Sequence, residues 1–158
     1  CKPKILLADE PTTALDATVQ IQILLLLREL QREFGMSVIF VTHDIGVAIE
    51  ICDRVAVMYA GQIVEQGTLG QIVRSPVHPY PKGLLASTVH GAKRGQRLET
   101  IPGTPPSLDR MPVSCSFAPR CGMAQPRCSE QLPPNVAISP GHTARCVLAE
   151  SAEAAAAT

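Results

Sequence analysis

Ile5-Leu6-Leu7-Ala8-Asp9-Glu10-Pro11-Thr12-Thr13-Ala14-Leu15-Asp16 is the stretch that decides how this chain is read. Four apolar residues in a row, Ile5 to Ala8, predict a strand buried on both faces, since a strand with one wet face would alternate. Asp9, Glu10 and Pro11 stop it. Asp16 stands where its carboxylate can accept from the first free N–H groups of a helix. The helix expected over about residues 17–34 carries Val19, Ile23, Leu26, Leu27 and Leu30 at spacings of three and four, and Gly35 ends it. Ser37 to Val41 predicts the next buried strand. Thr42-His43-Asp44 follows, then a shorter helix over about residues 45–52. Val55–Tyr59 and Gln62–Glu65 predict a hairpin turning at Ala60-Gly61.

A strand, a helix-length crossover and a second strand imply a parallel, right-handed βαβ unit. The ligands of such sheets bind beyond the carboxyl ends of the strands. Asp9 and Glu10 sit at one such end, and His43 at the next. There, one carboxylate can hold Mg²⁺ while its neighbour orients a water, and a His on the adjacent strand can reach a transferring γ-phosphate. The plainer reading is that Asp9 and Glu10 only end a strand and His43 is a solvated loop residue. The ordered combination of apolar strand, Asp-Glu, Asp16, long helix, second strand and Thr-His-Asp favours the chemical reading.

The chain has 158 residues, the length of one ordinary domain. Its 14 basic and 14 acidic residues cancel, which argues against a polycationic surface for nucleic acid or anionic lipid. No apolar run approaches the ~18 residues of a membrane-spanning helix, and there is no signal-peptide pattern. Composition shifts along the chain. Two of the 14 prolines, Pro3 and Pro11, precede Arg74, and four of the six cysteines fall late, at Cys115, Cys121, Cys128 and Cys146. The expected organisation is an α/β segment over 1–74, a helix and Pro-rich linker over 75–110, a Cys-rich segment over 111–148, and a tail over 149–158.

Ile5 to Asp16 resembles the Walker B motif and D-loop of an ABC-type ATPase, and Val41-Thr42-His43-Asp44 resembles its H-loop. Asp53 to Gly61, His78-Pro79-Tyr80 and Cys115-Ser116-Phe117-Ala118-Pro119-Arg120-Cys121 resemble the oligopeptide/dipeptide (peptide/nickel) import subgroup of ABC transporter ATP-binding subunits. The resemblance covers about residues 1–148. It implies part of a P-loop-type parallel sheet with helices, followed by an irregular Pro/Cys-rich C-terminal domain. It also implies that Asp9 coordinates Mg²⁺, Glu10 polarises the attacking water, Asp16 works across a dimer interface in binding nucleotide, and His43 contacts the γ-phosphate of ATP. The implied partners are a second ATP-binding subunit, transmembrane permease subunits and, indirectly, an external peptide-binding protein. Nucleic acid is not among them. The implied place is the cytoplasmic face of the cell membrane, as a peripheral subunit.

The sequence also departs from that pattern. No G-x-x-x-x-G-K-[ST] phosphate loop, Q-loop or LSGGQ-like signature is present, and in this family all three precede Walker B. The chain is therefore expected to be the C-terminal portion of such a subunit and inactive alone. Pro81 stands where the family usually has a small polar residue, and is expected to stiffen a surface turn.

The late cysteines are separated by 5, 6 and 17 residues, and the segment from Met111 to Cys146 has only seven large apolar side chains. So small a core needs a staple. Disulfides do not suit a reducing compartment, and neither short gap matches the C-x₂₋₄-C of zinc pairs. Thiolate ligation of an iron–sulfur cluster tolerates varied spacing, and the resembling subgroup includes members with a 4Fe–4S cluster. The expectation is one metal centre on Cys115, Cys121, Cys128 and Cys146, a 4Fe–4S cluster with Zn²⁺ as the alternative. Free or oxidised thiols are the remaining possibility. Cys52 is expected in the core, and His142 as a solvated loop residue. The function expected is the ATP-hydrolysing subunit of a peptide importer. The alternatives are a soluble ABC-type ATPase without a permease, and a non-catalytic metal or redox module.

Overall fold

The structure, a computed structural model, describes residues 2–88, 100–107, 109 and 111–149. The chain is mixed α/β and divides into two compact units, Cys1–Cys52 and Asp53–Thr158. Cys1, residues 89–99, 108 and 110 of the expected linker, and nearly all of the expected tail lie outside the described residues. Among the described residues no helix is long and apolar enough to cross a membrane.

The first unit follows the expected order: β1 (Ile5–Asp9), α1 (Ala17–Phe34), β2 (Ser37–Val41) and α2 (Ile45–Ile51). β1 and β2 pair in parallel, Ile5 opposite Ser37 through Asp9 opposite Val41. Asp16 caps α1 as expected. One carboxylate oxygen accepts from Thr18 N and Val19 N, both at 3.0 Å. Gly35 closes the helix at φ +59°, a left-handed conformation that costs glycine little. Asp44 caps α2 in the same way, accepting from Gly46 N at 2.8 Å.

Two expectations for this unit need correction. The strands are not buried on both faces: Ile5, Leu7, Ile39 and Val41, which share a face by register, are exposed. Among the described residues β1 and β2 pair only with each other, so apolar side chains chosen for a sheet interior stand open. On α1 the inward stripe is also rotated. Leu24 is its buried residue, while Val19 and Leu26 are exposed.

The second unit holds β3 (Arg54–Tyr59), β4 (Gln62–Thr68), α3 (Leu69–Arg74), α4 (Pro79–Ala86), α5 (Arg127–Glu130), β5 (Asn135–Ser139) and β6 (His142–Arg145). Its antiparallel sheet runs β3-β4-β6-β5. The β3–β4 turn has positive φ at both Ala60 (+47°) and Gly61 (+75°), as a two-residue hairpin demands. Thr68 and Gln71 form a reciprocal capping box at the start of α3. The late segment is therefore less irregular than expected. Val136 and Ile138 alternate on β5, and Pro140 followed by Gly141 at φ +72° turns the chain into β6. β6 then pairs with β4, Glu65 opposite Ala144.

The core of this unit gathers Val57, Tyr59, Val64, Ile72 and Phe117, with Tyr80, Leu84, Cys115 and Cys121 packed against it. Phe117 meets the Tyr59 ring edge-on, with centroids 5.2 Å apart. A second cluster joins Ala144, Cys146 and Ala149. Pro81 does not sit on a surface turn: it is fully buried in the first turn of α4, where a missing N–H leaves no helical bond broken.

A buried polar knot ties three segments together. Glu65 on β4 accepts from Val77 N at 2.9 Å, His78 N at 2.6 Å and His142 Nε2 at 2.8 Å. His142, expected in solvated loop, is buried on β6 as that partner. Removing one member of a buried charged network strands the others without partners. Glu65→Leu is thus expected to lower the unfolding free energy of the chain by about 3–5 kcal/mol, read as a drop in urea midpoint. A change within 0.5 kcal/mol of zero, on the order of an ordinary surface substitution, would show that the knot contributes nothing net.

Candidate functional site

The parallel register sets the ends of β1 and β2 side by side, and Glu10 N donates to Val41 O at 2.9 Å. Beyond that bond the chain turns sharply. Glu10 takes φ +44°, a left-handed conformation unfavourable for a residue with a Cβ. The strain accompanies a useful placement: Glu10 Oε1 lies 3.0 Å from His43 Nδ1, and Glu10 Oε2 accepts from Thr13 Oγ1 at 2.9 Å. The His43 contact, then the Thr13 hydroxyl, hold the Glu10 carboxyl below its ordinary range. It is therefore ionised at neutral pH and able to accept a proton. Both side chains remain open to solvent, 77% for His43 and 45% for Glu10, so a ligand has access to the pair.

The structure thus brings together Glu10 and His43, which are 33 positions apart in the chain. It does not bring in the other two acids. Asp9 is exposed at the strand end and makes no side-chain hydrogen bond among the described residues. Asp16 spends its carboxylate on the α1 cap. Thr13 went unnoticed in the sequence, although a hydroxyl three residues after an acid is a common turn partner.

The four late cysteines face one pocket. They line it with His78, Phe117 and Met123, and none forms a disulfide. One of the sulfurs, Cys128 Sγ, accepts a main-chain N–H, that of Gln125 at 3.3 Å. Burial raises the Cys115 and Cys121 thiols and pushes Cys146 up to about 11, with the neighbouring cysteines adding to it. Among the described residues no three His, Cys, Asp or Glu side chains form a group that could hold a metal ion. The metal centre expected on Cys115, Cys121, Cys128 and Cys146, iron–sulfur or zinc, therefore finds no support in the structure. Cys52 is half-buried, at the C-cap of α2 rather than in the core.

His78 caps α4: its Nδ1 accepts from Tyr80 N at 3.0 Å. Burial, then the charge of Lys82, lowers its pKa to about 4. The unfolded chain takes up this proton near pH 6.5, so protonation favours unfolding. Stability should hold above that pH and fall by up to about 3 kcal/mol as pH drops from 6.5 to 4. Urea unfolding across that window should show the slope, and His78→Asn should flatten it. An unchanged slope in that variant would assign it to another group.

Residues 64–128 match the family described as the oligopeptide/dipeptide transporter C-terminal region. A putative peptide import ATP-binding protein of Brucella ovis is 48% identical over 153 residues, covering 93% of this chain and 45% of the relative. The oligopeptide transport ATP-binding protein OppD of Salmonella typhimurium is 51% identical over 146 residues, 92% of this chain and 43% of the relative. OppD of Haemophilus influenzae is 52% identical over 128 residues, 81% and 40%. The chain therefore spans less than half the length of these relatives. The matches bear out the resemblance to ATP-binding subunits of the oligopeptide/dipeptide import family.

Proposed function

We propose that this chain is part of the ATP-hydrolysing subunit of an ABC transporter that imports di- or oligopeptides. The observation that carries the reading is the Glu10–His43 pair at the carboxyl ends of two parallel strands. The relatives' names point the same way. Residues 1–74 carry the catalytic motifs, 75–110 link, and 111–148 form the Cys-rich region, with 149–158 as a tail. By packing, residues 53–74 join the cysteine-bearing unit. The β1–β2 pair is then part of a P-loop-type sheet, and its open apolar face suits further cover in that fold.

In this reading Mg²⁺ supplies charge neutralisation at the β- and γ-phosphates, and Asp9 would hold it. Glu10, ionised and oriented by Thr13 and His43, positions a water and accepts its proton. His43 donates Nδ1–H to Glu10 and, as the imidazolium, would offer its Nε2–H to the γ-phosphate. Asp16 helps bind nucleotide at the interface with a second ATP-binding subunit, homo- or heteromeric, through the loop its cap holds. Permease subunits seat the protein peripherally on the cytoplasmic membrane face, and a peptide-binding protein delivers substrate. A soluble ATPase or a module without catalysis would leave the resemblance of residues 64–128 to a transporter region unexplained.

For the cysteines the reading is a 4Fe–4S cluster. Four sulfurs on one pocket, none in a disulfide, supply the donor number of such a centre. When bound it supplies cross-linking of the late segment, and positive charge that offsets the raised thiol pKa values.

The 158-residue chain alone is expected to show no appreciable ATP turnover with Mg²⁺, because it lacks the Gly-rich loop and Lys that cradle the phosphates. Supplying the preceding half of the subunit should restore it. Turnover by the pure chain would show that the missing loop is dispensable.

A further inference from the structure

We infer that Cys115 and Cys128, in the chain without bound metal, close as a reversible disulfide when a peroxide oxidant reaches them, a redox switch on the late segment. The inference goes beyond the cluster reading above and does not depend on it. Its basis is placement. Cys115 N donates to Cys128 O at 3.1 Å, although the two residues stand 13 positions apart. A direct main-chain bond brings two Cα atoms into the range that a disulfide spans, about 4.4–6.8 Å. Both side chains line one pocket, and both are free thiols. Cys121 and Cys146 line that pocket too, but among the described residues neither is joined to another cysteine by a main-chain bond. No three His, Cys, Asp or Glu side chains among the described residues could hold a metal ion, so the pair is the unit that the geometry singles out.

The chemistry needs an oxidant, and hydrogen peroxide supplies it. Cys115 is half-buried and Cys128 buried, so Cys115 meets the oxidant first. Its thiolate attacks one peroxide oxygen, the O–O bond breaks, and a sulfenic acid forms as the other oxygen leaves and becomes water. Cys128 sulfur then attacks the sulfenic sulfur, the S–O bond breaks, the S–S bond forms and a second water leaves. Two thiols have given up two electrons and two protons, and both go to the peroxide. Burial holds the Cys115 thiol above its ordinary range. The first step is therefore slow, and the switch answers sustained peroxide rather than a brief pulse. In a reducing compartment such a bond is transient and is reversed by thiols. The loop it closes carries Phe117, a core residue, and Arg120, which donates to Tyr59 Oη and to Ile101 O, both at 3.2 Å. Closing that loop pins both residues against the core of the second unit.

The test uses the whole 158-residue chain, stripped of metal with a chelator, reduced, and then treated with hydrogen peroxide. Remaining thiols are alkylated and the peptides mapped without reductant. A peptide joining Cys115 to Cys128 should appear, Cys121 and Cys146 should stay alkylated, and reductant should reverse the link. Protease cleavage between residues 115 and 128 should slow at least about tenfold on oxidation, because the bond narrows the open ensemble on which cleavage depends. Cys128→Ser should lose both the link and the protection. The double variant Cys121→Ser with Cys146→Ser should keep both, which holds the test open where a single change at Cys128 harms folding. Peroxide that leaves Cys115 and Cys128 as thiols, pairs either with a different cysteine, or drives them to sulfinic acid would overturn the inference. Iron uptake by the untreated chain is a separate readout. Uptake without later pairing removes this inference alone, and pairing in a chain that takes up no iron bears it out while removing the cluster reading.

Discussion

Glu10→Gln in a complete, assembled subunit lowers ATP turnover by about 10²–10⁴-fold while leaving nucleotide affinity near its starting value. That is the usual loss when a general base is removed. The amide keeps the shape and the hydrogen bond from Thr13 but gives up the charge that accepts a proton from water. The carboxyl of Glu10 is held below its ordinary range by His43 and Thr13, so it is the ionised form that the change removes. Asp9→Asn should behave differently, weakening Mg²⁺-dependent nucleotide binding before it slows the chemistry. Steady-state turnover and equilibrium nucleotide binding on the two variants separate the roles. Near-normal turnover by Glu10→Gln would remove Glu10 from the chemistry.

Changing Cys115, Cys121, Cys128 or Cys146 singly to Ser should abolish the metal centre. Anaerobically prepared wild type should be brown, with several irons per chain, and each variant colourless. The consequence for the fold is local. Cys115 and Cys121 pack on the Val57–Phe117 core, and Cys146 belongs to the Ala144–Ala149 cluster. Loss of the cross-link should therefore open residues 111–146 to protease and leave β1, α1 and β2 protected. Cys52→Ser should keep the iron. A metal-free wild type whose late segment resists protease under strong reductant would refute the centre.

The first unit was legible because its signals are local. Asp16 and Gly35 act on the nearest turns of chain, and both do what their positions imply. The Glu10–His43 pair was legible because parallel pairing fixes which strand ends become neighbours. Burial was not legible. The runs Ile5–Ala8 and Ser37–Val41 carry apolar side chains for partners on both faces, and among the described residues β1 and β2 have only each other. The Glu65 knot was missed for another reason: its three partners come from 12, 13 and 77 positions away, and an acid on a hairpin strand reads as a solvent-facing residue. The hairpin of β5 and β6 was hidden by its prolines, which mark its turn at Pro140 but not the pairing with β4.

The most direct measurement is peptide-dependent ATP hydrolysis by the complete subunit, co-purified with its permease and reconstituted in sealed vesicles with the peptide-binding protein. Hydrolysis should rise when a di- or oligopeptide is added on the binding-protein side, the peptide should accumulate on the ATP side, and Glu10→Gln should abolish both. Hydrolysis that proceeds at the same rate without permease, vesicle or peptide would contradict the account and point to a soluble ATPase.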